Sequence, residues 1–70
     1  MIINWKSGFK INVSIDDESI VVISANQDGL LSLASQLTAL ANEVNGSHIH
    51  YDEYNSLEEG SLEMIIEKIE

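Results

Sequence analysis

Three features of the sequence predict an α+β fold with two layers. Phe9–Ile15 alternates apolar and polar residues with the period of a strand, and Leu30–Val44 carries apolar residues at the spacing of one helical face. Two further strand-like runs, Ser47–Asp52 and Leu62–Ile69, follow the helix. The predicted order is β-β-α-β-β, with one helix packed on a four-stranded, mostly antiparallel sheet. Seventy residues make a single domain, 1–70, because there is no length for a second core.

In the first run, Phe9, Ile11, Val13 and Ile15 share the face expected to be buried. Asp16–Ser19 is a polar turn. Ile20–Ile23 is a continuous apolar, β-branched run, as expected of a central strand. The two runs are expected to form a hairpin. The preceding segment, Ile2–Trp5, either extends the first strand or forms a separate edge. Trp5, the only tryptophan, either closes the end of the core or sits in an interface.

Asn26 or Asp28 is placed to cap the helix behind it, where a side-chain oxygen can accept a bond from an orphan N–H. The helix is expected to reach Glu43 or Val44, with Leu30, Leu33, Ala34, Leu37, Leu40, Ala41 and Val44 as its buried stripe. Ser32, Ser35, Gln36, Thr38, Asn42 and Glu43 fall on the solvent side, and Leu31 and Ala39 lie off the stripe. Asn45-Gly46 is expected to end the helix, with glycine suited to a left-handed cap.

The third strand alternates again. Ile49 and Tyr51 share one face, while His48, His50 and Asp52 share the other. Glu53–Gly60 is a polar loop. In the last strand, Leu62, Met64 and Ile66 face one way, and Ile65 and Ile69 face the other with Glu63 and Glu67.

Charge narrows the range of partners. Twelve acids oppose three lysines (Lys6, Lys10, Lys68), giving a formal net charge of −9. This argues against nucleic acid as a partner, since phosphate contacts need Lys and Arg. It favours a basic protein, whose approach an acidic field would steer. No run of the sequence is apolar enough to span a bilayer, so no membrane role is expected. The start of the chain has no signal-peptide pattern, and a cytoplasmic protein is expected. There is no cysteine, so no disulfide or thiolate metal site can form.

Little in the sequence suggests catalysis. His48, His50 and Asp52 at alternate positions could offer three metal ligands, but polar residues at this spacing are commonly just the outer face of a strand. Ser47 and Ser61 near a His–Asp pair do not make a triad, which needs a pocket and a geometry. No phosphate-binding glycine loop is present. No enzyme activity, cofactor or metal is therefore expected. The residues assigned to partner binding are His48, His50, Asp52, Glu53, Glu58, Glu59, Glu63 and Glu67. An alternative is a homodimeric structural or regulatory module that uses the outward Ile65 and Ile69.

Several short stretches together resemble one known family. They are Ile23-Ser24-Ala25-Asn26, Gly29-Leu30 with Leu33-Ala34, Gly46 through Asp52, and Gly60 through Ile66. Spread over roughly residues 20 to 67, they look like the Immunity protein 32 family of bacterial immunity proteins. Ala25 stands where that pattern would have glycine. The resemblance implies a cytoplasmic antidote from a polymorphic-toxin or contact-dependent competition system. Such a protein binds a cognate toxin domain and blocks it. A basic toxin, such as a nuclease, would suit the acidity of this chain.

Overall fold

The computed structural model describes residues 1–70. The order β-β-α-β-β holds: β1 Ile11–Ile15, β2 Val21–Ala25, α1 Gln27–Ala41, β3 His48–Tyr51 and β4 Met64–Glu67. The strands do not form the single four-stranded sheet expected from the sequence. They make two separate antiparallel pairs, β1 with β2 and β3 with β4.

The reason lies at the free edge of β1. Glu58 N–H donates to Ile11 O at 2.8 Å, and Leu62 N–H donates to Val13 O at 2.8 Å. Val13 N–H in turn donates to the Ser61 hydroxyl at 3.2 Å. Residues 58–62 therefore occupy the edge where another strand would have paired. Gly60 turns within that segment at φ +86°, a left-handed conformation natural to glycine. Leu62 is used in this contact, so β4 starts only at Met64.

The β1–β2 register sets Ile11 opposite Ala25, Val13 opposite Ile23 and Ile15 opposite Val21. Ile11 and Val13 are fully buried, but the row is uncovered toward the hairpin tip, where Ile15 is exposed. β2 is not the central strand expected from its apolar run. It is an edge, with Val21 61% exposed and Ile23 45% exposed. At the tip, Asp16 Oδ1 accepts the N–H groups of Glu18 and Ile20, and Ser19 takes a left-handed φ of 64°. Ala25 fits the corner before the helix as an ordinary strand residue with no positive φ.

Asn26 caps the helix and ties three segments together. Its Oδ1 accepts the N–H of Gly29 at 2.8 Å and that of Lys10 at 3.0 Å, and its Nδ2 donates to Gly8 O. Gly29 lies against β1 so closely that a Cβ there would sit 2.5 Å from Lys10 O. The helix ends at Ala41, earlier than the sequence suggested, with Asn42 as its cap. Gly46 has φ +91° but serves the turn into β3 rather than the helix end.

The buried face of the helix is rotated from the expected stripe. Gly29, Ser32, Leu33, Gln36 and Leu40 are buried, whereas Leu30, Leu37 and Val44 are exposed. The N-terminal segment accounts for the rotation. Lys6 N–H donates to the Ser32 hydroxyl at 2.8 Å, and Gln36 Nε2 donates to Asn4 O at 2.9 Å. Buried hydroxyl and amide groups are tolerated here because each has a partner. Trp5 stacks on Phe9 at 4.3 Å and meets Tyr51 edge-on at 6.2 Å, closing the core. That core consists of Ile11, Val13, Leu33, Leu40, Ile49, Tyr51 and Leu57.

Candidate binding face on the second hairpin

The β3–β4 hairpin has one face in the core and one in solvent. Its register pairs Ile49 with Ile66 and Tyr51 with Met64 on the inner face, and His48 with Glu67 and His50 with Ile65 on the outer. The alternation read from the sequence thus places these side chains correctly. Tyr51 anchors the inner face. Its hydroxyl donates to Gln36 Oε1 at 2.7 Å, and burial raises its pKa above the usual 10.0.

On the outer face, His50 Nε2 lies 3.5 Å from Glu63 Oε2 and 3.9 Å from Asp52 Oδ2. Asp52 is held rigidly, because its Oδ1 accepts the N–H groups of Tyr54 and Asn55 at 2.9 Å. Asn55 Nδ2 donates back to His50 O, locking the strand end to the turn. The ligand atoms of His50, Asp52 and Glu63 lie within 4.8 Å of one another. As a metal candidate, this trio differs from the one suggested by sequence spacing, with Glu63 in place of His48. Exposed acids gather this closely without an ion in many proteins, so the cluster alone does not make a metal site.

The remaining expected site residues divide. Glu67 faces His48 across the pair. Glu53 Oε1 accepts the N–H of Gly60 and shares a shallow recess with Ser61 and Glu63. Glu58 and Glu59 are exposed on the turn against β1, where Glu58 borders Lys10 and Asn12 rather than the histidines. Lys68 is the only base in the last third of the chain, and its ammonium is spent on the helix end. It donates to Ala41 O at 2.9 Å and Glu43 O at 2.6 Å. The role of Lys68 in capping the helix was missed in the sequence, where its only signal was that it stands alone among acids.

The model of the family described as Immunity protein 32 matches residues 20–69 of this sequence. The chain belongs to the Immunity protein 32 family. The matched span runs from β2 to beyond β4 and contains the whole outer face of the second hairpin. No curated protein and no solved structure matches the chain. No helix is long and apolar enough to cross a membrane.

Proposed function

We propose that this immunity-family chain binds a basic cognate toxin domain stoichiometrically, in the cytoplasm, and blocks it without catalysing a reaction. The observation that carries this reading is the outer face of the β3–β4 hairpin. Asp52, Glu63 and Glu67 stand there around two histidines, and the nearest lysine is committed to the helix end. A field of one sign on a rigid hairpin raises the encounter rate of an oppositely charged partner. A toxin that grips nucleic acid must present lysines and arginines, and these are what such a face attracts. His48, His50, Glu53, Glu58 and Glu59 complete the proposed contact set.

The direct test mixes the purified chain with the toxin domain encoded beside its gene and follows mass and toxin activity together. A 1:1 complex lacking toxin activity is the expected result. Undiminished toxin activity at a saturating excess of the chain would exclude the reading.

A further inference from the structure

The edge of β2 is built unlike the edge of β4. In the β1–β2 ladder, Asp16 N–H donates to Ile20 O and Asn26 N–H donates to Lys10 O. Antiparallel alternation therefore turns the backbone groups of Ile20, Val22, Ser24 and Asn26 toward β1, and those of Val21, Ile23 and Ala25 outward. No charged residue lies between Ser19 and Gln27, and no proline breaks the run. Soluble proteins ordinarily protect such an edge with charge, proline or a covering segment. β4 does so, with Glu63 and Glu67 along it.

We infer that the β2 edge is the seam of a homodimer, in which β2 pairs antiparallel with β2 of a second copy about a two-fold axis at Ile23. The outward groups fit this symmetry. Val21, Ile23 and Ala25 are centred on Ile23, so rotation sets Val21 against the partner's Ala25 and Ile23 against the partner's Ile23. Each outward N–H then meets an outward C=O. The joined sheet has four strands, β1-β2-β2-β1, two from each chain.

Charge placement selects this antiparallel orientation for a second copy. Asp16, Asp17 and Glu18 lie at the hairpin tip, at one end of the seam, and Lys10 lies at the other, where its N–H meets the Asn26 side chain, Glu58 borders it and Asp28 lies against Gly8. Rotation brings the acidic tip of one copy to the Lys10 end of the other, so the two acidic tips stay apart. An axis normal to the sheet also keeps both helices on one side. The exposed Leu30 and Leu37, on the helix flank opposite Ser32, then become available to cover the exposed Val21–Ile23 row. The β3–β4 face takes no part, so the seam is compatible with toxin binding but does not depend on it.

The test uses the chain alone, without toxin. Sedimentation equilibrium should show a concentration-dependent rise from 7.8 kDa toward twice that mass. Added salt should strengthen the association, because the two copies share a net negative charge. Ile23→Lys places two ammonium groups at the axis and should weaken the dimer at least tenfold, with the far-ultraviolet circular dichroism unchanged.

Should that variant unfold, Ile23→Cys decides. The chain has no other cysteine, and the Cα separation of roughly 5.5 Å in a hydrogen-bonded pair suits a disulfide. A covalent dimer should form readily with Ile23→Cys and not with Val44→Cys, which is exposed away from the seam. A wild-type chain that stays at monomer mass at every concentration overturns the inference. So does a folded Ile23→Lys variant that dimerises normally, or equal cross-linking at Val44.

Discussion

Tyr51 and Gln36 show how single residues decide this fold. The tyrosine hydroxyl donates to Gln36 Oε1, and the glutamine amide passes the link on to Asn4 O. Tyr51→Phe keeps the ring but leaves Gln36 Oε1 buried without a donor, which should cost about 1–3 kcal/mol of stability. Urea unfolding at neutral pH measures it. The same hydroxyl sets a pH limit. Its folded-state pKa is raised by burial above the unfolded value of 10.0, so folding favours the protonated form. This contribution is complete below about pH 10 and is lost as pH rises through the folded pKa. The urea midpoint should therefore fall more steeply in the wild type than in Tyr51→Phe as pH rises above about 10. Parallel curves would mean that the hydroxyl is not held as described.

At the scale of elements, the helix makes the sharpest distinction. Leu33 and Leu40 are buried, while Leu37 is 42% exposed. Leu33→Ala or Leu40→Ala should cost roughly 2–5 kcal/mol, as buried leucines do. Leu37→Ala should cost about 1 kcal/mol or less in the monomer. Thermal melts of the three variants at low protein concentration check the order. Hydropathy alone could not predict this order, because the buried side contains Ser32 and Gln36. Their partners are backbone groups of residues 4–6 and the Tyr51 hydroxyl, a match invisible to any periodic pattern. By contrast, the faces of β1 and β3 were legible because their alternation is strict and their inner residues are apolar. Gly29 is a further element-scale constraint. A Cβ there would meet Lys10 backbone, so Gly29→Ala should push the helix off β1 and lower the melting temperature.

Across the whole molecule, the sheet division and the charge layout act together. The sequence cues to four strands were sound, but residues 58–62 reach β1 through two amides and one hydroxyl, and no alternation announces such a contact. The division leaves β3–β4 as a separate hairpin with an acidic outer face. Glu63 and Glu67 are both exposed there, so reversing them leaves the core untouched. Glu63→Lys with Glu67→Lys should retain the wild-type melting temperature within a few degrees. It should slow association with a basic toxin roughly tenfold or more at low salt, since steering contributes about that much to encounter rates. The difference should shrink as salt shortens the range of the field to about 8 Å at physiological strength. Dimer formation through β2 should respond to salt in the opposite sense, because there the net charges are alike. Stopped-flow association across a salt series, using the wild type and the double variant, separates the two contacts. Identical rates at every salt concentration would move the toxin contact away from this hairpin.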